Sequence, residues 1–356
     1  MGSITAAGAT RGSVVFSTNE SWLIPTWLQI VWAAIAGSII LFLPESPRWL
    51  FAHGRPEEAR AIITKYHGED NPDSVYVSLQ MREWAEGIEL NGADKRWWDY
   101  RILFNNKERR YRMYCYFLFA MAISWNGSSL VNYYLGAFLS TAGITNPVTV
   151  LDINLGLSFA SAIATAVGAS LVEKVGRRTL FFWELVVVSV IWIAITVASA
   201  LYQDTSATAA ATAAIVFIFL FNISTAMVIL PLSGQAQNKA SMLTPLGVYV
   251  IEIFTYEQRA KGFAAGTVIT VAMSLLNSYA LPIAIKAISW KTYIIFCAWC
   301  PVMAAIVWFT MVETKGRTLE ELSEVFSAKN PRKASTRMRK VEIDTTHRVV
   351  VDTKEL

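Results

Sequence analysis

Acids and arginines stand together at four places in this chain, each at the edge of a long apolar run. Pro44-Glu45-Ser46-Pro47-Arg48-Trp49-Leu50 follows one run directly. Gly176-Arg177-Arg178, after Glu173-Lys174, fills a tight link between two others. Arg259-Ala260-Lys261-Gly262 lies downstream of Glu252, and Glu313-Thr314-Lys315-Gly316-Arg317 follows the last run. An arginine fork can grip a carboxylate through two parallel hydrogen bonds. Pairs of this kind at helix ends can break and re-form at modest cost. The other role open to such residues is topological anchoring with lipid head-group contacts. A second set of polar groups lies inside the apolar runs: Ser124-Trp125-Asn126-Gly127-Ser128-Ser129-Leu130-Val131-Asn132-Tyr133-Tyr134, Asn277 in Leu276-Asn277-Ser278-Tyr279, and Gln29 one turn after Pro25. Polar groups in a membrane helix tend to face a cavity or a partner. Packing between helices is the other reading for each of them.

Other chemistry has little to work with. The three histidines (His53, His67, His347) lie in polar stretches, so a metal site or buried His relay is not expected. The three cysteines (Cys115, Cys297, Cys300) lie in apolar runs and read as buried thiols rather than a disulfide framework. No Walker sequence, Gly-rich nucleotide loop, GxSxG or HExxH occurs, which argues against an ATP-driven pump or an intramembrane hydrolase. No enzyme activity, cofactor or metal is expected. A net charge of +4 is too small for a nucleic-acid binder.

The elements that must carry these residues are membrane helices. Hydrophobic residues make up 54% of the 356 residues and charged residues only 16%. Soluble domains carry about 25% charge, and roughly 20 apolar residues cross a bilayer. Seven stretches qualify: Trp22 to Leu43, Met113 to Leu151 (a span plus an outer loop), Ile153 to Val172, Leu180 to Leu201, Ala211 to Leu232, Gly262 to Ile285 and Thr292 to Val312. Segments 44–112, 173–179, 255–261 and 313–356 hold 27 of the 31 Lys and Arg, and alternation puts all four on one side. Basic loops mark the cytoplasmic face. The C-terminus of this multi-pass chain is therefore expected inside.

Loop 51–112 is long enough for helices of its own. Gly54-Arg55-Pro56-Glu57-Glu58 starts one, with Ala59, Ile62, Ile63 and Tyr66 at helical spacing and Gly68 as its stop. A second begins after Asp73, with Met81, Trp84, Ala85 and Ile88 on one face. A third short helix is expected over Trp97 to Phe104. The tail after Phe326 reads as solvated and disordered.

The motifs PESPRWL, GRR and ETKGRTLEEL, each at a span end, together with the 62-residue helical loop, resemble the sugar porter branch of the major facilitator superfamily, and most of all its fungal hexose and lactose permeases. The resemblance covers residues 1–326 and corresponds to the C-terminal part of a twelve-span transporter. It implies an all-α membrane protein with a partial major facilitator fold: about seven transmembrane helices plus a cytosolic helical loop. Residues 1–21 would be a remnant of a fifth span and outer loop, and 22–50 a sixth-type span with its motif. Residues 51–112 would be the cytosolic loop, 113–312 a C-terminal six-helix bundle, and 313–356 a cytosolic tail. The implied function is transport of a sugar, hexose or disaccharide, by alternating access of two bundles, with protons as a candidate co-substrate. Glu45, Arg48, Arg177, Arg178, Glu252, Arg259 and Glu313 are the implied gate network. Gln29, Trp125, Asn126, Asn132, Tyr133 and Asn277 are the implied sugar contacts. The implied partners are the sugar, the bilayer and a second bundle. Two alternatives stand beside transport: a sugar sensor or regulatory paralogue that does not transport, and an incomplete product without activity.

Three features depart from the pattern or stand outside it. Ser124 and Ser129 occupy positions where the family brings Gln and Asn to the sugar. Val228 to Leu243 interrupts span ten, as a re-entrant loop or as a gene-structure error such as a retained intron. Glu184 sits inside its span and is expected to pair with Arg177 or Arg178, a proton relay being the alternative role. Asn19-Glu20-Ser21 is a glycosylation sequon on the outer side.

Overall fold

Helix starts and stops along this chain follow from proline, glycine and acidic punctuation. The computed structural model describes residues 2–16, 19–68, 71, 74–91, 98–140, 143–205, 207–233, 248–317, 319–336, 340–343 and 349–352. They form two units, Phe16–Tyr100 and a larger one of Met1–Val15 with Arg101–Leu356. The first helix, α1 (Gly2–Ser13), belongs to the larger unit. Its 12 residues reach only about 18 Å, too short to cross a bilayer.

In the smaller unit, α2 (Glu20–Ile40) carries Pro25 in its second turn and Gln29 one turn on. It is apolar on every face and long enough to span a bilayer. Next come α3 (Pro47–Ala52), α4 (Pro56–His67) and α5 (Val75–Asn91). Proline opens α3 and α4 where no N–H is needed, and Gly68 ends α4. Arg55 clamps Glu58 through two bonds of 2.7 and 2.6 Å at the start of α4. This pairing holds the Arg55 guanidinium above its usual range. Ala59, Ile63 and Val77 are buried where these helices meet. Tyr66, placed on the same apolar face by spacing, is 57% exposed instead.

The larger unit continues with a single 3₁₀ turn at Arg101–Leu103. That turn is all the described residues hold of the helix expected over Trp97 to Phe104; residue 97 lies outside them. The stretch expected to span from Met113 is then broken into α6 (Lys107–Ser124), α7 (Ser128–Tyr133) and α8 (Leu135–Ser140). Gly127 makes the break, at φ +93°. A Cβ there would stand 2.2 Å from the Trp192 ring, so glycine is required both for conformation and for space.

Long helices follow: α9 (Pro147–Val175), α10 (Arg177–Thr205), α11 (Thr208–Ser233), the short α12 (Val248–Ile253), α13 (Tyr256–Ile288) and α14 (Tyr293–Thr310). Asn146 caps α9 by accepting the Val148 N–H at 2.9 Å. Arg11 of α1 pairs with Asp152 near its start. The apolar stretch Gln258–Thr310 reads as one by hydropathy but turns through a 3₁₀ segment at Ser289–Thr292, giving two spans. With α2, α9, α10 and α11, six helices long and apolar enough to cross a membrane are present among the described residues, and the broken α6–α8 segment occupies the place of the remaining expected span. Part of the expected interruption, Val228 to Leu243, is helical. Val228–Ser233 continue α11, through Pro231, and 234–247 lie outside the described residues.

Two aromatic-rich cores hold the larger unit together. One surrounds the fully buried Trp192, whose ring stands 4.9 Å from Phe296, 5.3 Å from Phe221 and 5.8 Å from Tyr293. The other gathers Phe119, Phe181, Tyr249, Ile253 and Val312 toward the end where α10 begins. The chain then forms α15 (Leu319–Ser327), α16 (Pro331–Thr336) and a small antiparallel hairpin of β1 (Lys340–Ile343) with β2 (Val349–Asp352). Against the disorder expected after Phe326, the described tail residues up to 336 and in 340–343 and 349–352 take up these elements. Pro331 starts a helix, and Arg317 holds its far end by donating to the carbonyls of Ala334 and Ser335 at 3.2 and 2.9 Å.

Candidate functional site

The tight link between α9 and α10 is one residue, Gly176, at φ +105°. Behind it, the Glu313 carboxylate takes the first backbone N–H groups of α10. It accepts from Arg177 at 2.8 Å, Arg178 at 3.1 Å and Thr179 at 3.5 Å. These are orphan donors at the positive end of a 29-residue helix. The same carboxylate also accepts from its own neighbours, Thr314 at 3.1 Å and Lys315 at 3.2 Å. One acid therefore ties the start of α10 to the chain leaving α14. A Cβ at Gly176 would lie 2.9 Å from Glu313 Oε2.

The Arg177 side chain reaches Glu252 at the end of α12. Nη2 donates to Oε1 at 2.7 Å and Nε to Oε2 at 3.1 Å, a two-pronged grip. Arg177 is 12% exposed and Glu252 23%. The Thr314 hydroxyl donates to the same Glu252. Arg178 goes elsewhere: its Nη2 donates to the Trp308 carbonyl at 2.7 Å and its guanidinium lies 4.6 Å from the Trp308 ring. Lys315 donates to the Lys174 carbonyl, and the Ser335 hydroxyl of α16 accepts the Glu313 N–H at 3.2 Å. Arg259 lies in the first turn of α13, where its backbone N–H bonds Thr255 at 2.9 Å. Glu45 is exposed in the smaller unit, and the Arg48 side chain lies outside the described residues.

Replacing Glu313 by alanine removes acceptors from five N–H groups and uncaps α10. We expect a loss of about 1–2 kcal/mol, read as a lower thermal midpoint of the purified chain in detergent. An unchanged midpoint would contradict the capping role.

A second cluster on the same end escaped the sequence reading. Glu108 and Arg112 stand one turn apart on α6, bonded at 2.5 and 3.1 Å, with Arg112 only 1% exposed. Arg112 also donates to the Ile253 carbonyl at the end of α12, and its guanidinium lies 4.3 Å from the Phe326 ring of α15. Ser327 donates to Glu108 at 2.9 Å. The i, i+4 acid–arginine spacing was the available signal.

Burial pushes Glu108 up, but hydrogen bonds from Arg112, Ser327 and Ser323 outweigh it, leaving the carboxyl below its ordinary 4.5. A carboxyl depressed in the folded state adds stability that is complete above the unfolded value. That stability is lost as pH falls through the folded one. Acid titration of the wild type should therefore show a stability loss below about pH 4.5 that is smaller in Glu108→Gln. Identical acid limbs would contradict it.

The break between α6 and α7 gathers the second set of sequence candidates. Asn126 is fully buried; its Oδ1 accepts the Ser128 N–H at 2.9 Å and its carbonyl accepts Trp192 Nε1 at 2.8 Å. Asn277, 8% exposed on α13, donates through Nδ2 to the Ser124 carbonyl at 2.5 Å. Trp125 Nε1 donates to the Met273 carbonyl at 3.4 Å, one turn before Asn277. The Tyr134 hydroxyl donates to the Ser278 carbonyl at 2.7 Å. Asn132 and Tyr133 are exposed on α7, Tyr133 at 73%. Gln29 lies in the smaller unit. The structure thus joins Trp125, Asn126 and Asn277 around one helix break.

The expected Glu184 ion pair is absent. Glu184 is 2% exposed and neither carboxylate oxygen has a hydrogen-bond partner. Seven residues separate it from Arg177, about 10 Å along a helix axis, and Arg177 is committed to Glu252. The cysteines are free thiols, with Cys115 and Cys300 buried and Cys297 half-buried. Asn19 precedes α2 without a side-chain cap bond.

Comparison with known proteins gives a consistent setting for this geometry. The family described as sugar (and other) transporter matches residues 1–326. A high-affinity glucose transporter of Kluyveromyces lactis is 27% identical over 85% of this chain and 55% of its own length. A high-affinity glucose transporter of Schizosaccharomyces pombe is 29% identical over 91% of this chain and 58% of its own. Among solved structures, the proton:xylose symporter XylE bound to 6-bromo-6-deoxy-D-glucose superposes with a TM-score of 0.64 at 18% identity, covering 90% of this chain and 64% of that one. The chain therefore spans a little over half the length of these two curated relatives.

Proposed function

This chain belongs to the sugar transporter family, an integral multi-pass membrane fold of the major facilitator type, and on that premise we propose that it moves a hexose or disaccharide by alternating access. The observation that carries the proposal is the joined polar break of α6–α7 with α13, where Asn126, Asn277 and Trp125 meet inside an apolar bundle. A sugar offers a ring of donors and acceptors with apolar faces between them, and amides beside indole rings answer both. Asn132 and Tyr133 complete the proposed set of contacts.

In this reading, the Arg177–Glu252 pair and the Glu313 cap form a gate on the basic face. Arg178 and Arg259 belong to the same network. That face is cytoplasmic, with the C-terminus inside and the protein in the plasma membrane. XylE is named as a proton:xylose symporter, and proton coupling is proposed here by that analogy.

Alternating access requires two bundles that rock about a central site. We propose that the 356 residues work with a second, complementary bundle. In cells lacking hexose transporters, the chain expressed alone should give no saturable uptake of labelled glucose. Co-expression with the N-terminal half of the Kluyveromyces lactis relative should restore it. Absence of uptake with both halves inserted and associated would overturn the transport reading. Robust uptake by the chain alone would overturn the need for a second bundle.

A further inference from the structure

Three buried polar atoms without hydrogen-bond partners lie on the elements that meet here: Ser124 Oγ and Asn126 Nδ2 at the α6–α7 break, and Trp299 Nε1 on α14, whose ring packs on that of Trp125. Buried polar groups are nearly always paired, and a cluster of unpaired ones calls for an explanation. Asn126 cannot turn its amide to escape, because Oδ1 is already held by the Ser128 N–H. Its Nδ2 is therefore fixed as an unused donor. An indole N–H is a donor only, so Trp299 adds a second of the same kind. Ser124 can donate or accept.

Trp299 stands on α14, outside every motif that marked the site. Its ring lies 5.3 Å from that of Trp125, tilted by 48°. Trp125 in turn bonds Met273, one turn before Asn277, which bonds the Ser124 carbonyl. The last span thus enters the same cluster through an aromatic pair. Ser124 occupies a position where the resemblance expects a glutamine. A short hydroxyl reaches less far than an amide, and a donor from the neighbouring span can take over part of its work.

Resting on the reading of this break as the sugar site, we propose that Trp299 is a further sugar-contacting residue. Its N–H donates to a sugar oxygen, and its ring with that of Trp125 packs on the apolar C–H face of a pyranose. Aromatic faces reward a flat apolar partner, while the few polar groups of a binding site fix orientation. The substrate class that follows is a pyranose with equatorial hydroxyls, in preference to an open-chain polyol of equal polarity.

The test uses the full chain in detergent, with D-glucose and D-sorbitol as probes and the indole N–H resonances as readout. Glucose should bind and shift the Trp299 signal, with sorbitol weaker by roughly tenfold. Trp299→Phe keeps a ring but removes the donor and should weaken glucose binding roughly three- to tenfold. Trp299→Leu should weaken it further, and Trp183→Phe, at a 57% exposed position on α10, should leave it unchanged. Because Trp299→Phe keeps an aromatic ring on the same stem and introduces no polar or branched group, the test does not depend on the leucine variant folding. Wild-type affinity in Trp299→Phe and Trp299→Leu would remove Trp299 from the site while leaving the sugar reading intact. Equal binding of sorbitol would overturn the pyranose preference. No glucose binding by the folded wild type would remove the sugar-site reading and this inference with it.

Discussion

Gly168→Leu should prevent the bundle from assembling. A Cβ at Gly168 of α9 would stand 1.8 Å from the Met227 carbonyl oxygen of α11, a backbone atom that cannot swing aside. Close backbone approach at small residues is how membrane helices pack, because lipid supplies no hydrophobic drive between them. Two hydrogen bonds depend on the same crossing. Thr165 donates to the Ala226 carbonyl at 3.3 Å, and Ser161 donates to Asn222 Oδ1. Overpacking against movable side chains costs about 1–3 kcal/mol, and forcing two backbones apart costs more. The purified variant should aggregate, or unfold far below the wild type on heating. A thermal midpoint equal to that of the wild type would show that α9 and α11 do not cross at Gly168.

Glu252→Leu should have the next largest effect. It leaves the nearly buried Arg177 guanidinium without its two-pronged partner and removes the acceptor of Thr314. Breaking a buried pair by deleting one partner costs roughly 3–5 kcal/mol. Partial exposure of Glu252 reduces that to about 2 kcal/mol through solvent screening. The double replacement Arg177→Leu with Glu252→Leu should be less destabilised than Glu252→Leu alone, since no charge is left stranded. Equal midpoints for single and double variants would show that the pair contributes nothing.

Much of the helix layout could be read from local signals. Pro56 with Glu57 and Glu58 at the start and Gly68 at the end bound a helix found at Pro56–His67. The break at Gly127 was less legible. Its cause is the ring of Trp192, sixty-five residues away in sequence, and no local pattern announces such a contact. The same limit hid the Glu108–Arg112 cluster, whose purpose emerges only when Ile253, Phe326 and Ser327 arrive from elsewhere in the chain. Glu184 was misread because proximity in sequence stood in for distance; two helical turns separate it from the arginines offered as partners. The tail was misread because polar composition predicts disorder without the carbonyl contacts that Arg317 makes. Trp299 carried no signal at all, since an indole in an apolar span looks like packing until its N–H is found unpaired.

The proposed sugar pathway is closed on its basic face by Arg177 and Glu252, a pair that must open in each cycle. The most direct measurement is labelled-glucose uptake in transporter-deficient cells, with the complementary half co-expressed, across a charge-reversal series. Arg177→Glu and Glu252→Arg each place like charges at a site built for opposite ones, and each should abolish most uptake while still reaching the membrane. The double reversal re-creates an opposite-charge pair and should recover a substantial part. Uptake at the wild-type level in both single variants would contradict the account, as would a double variant no better than the singles.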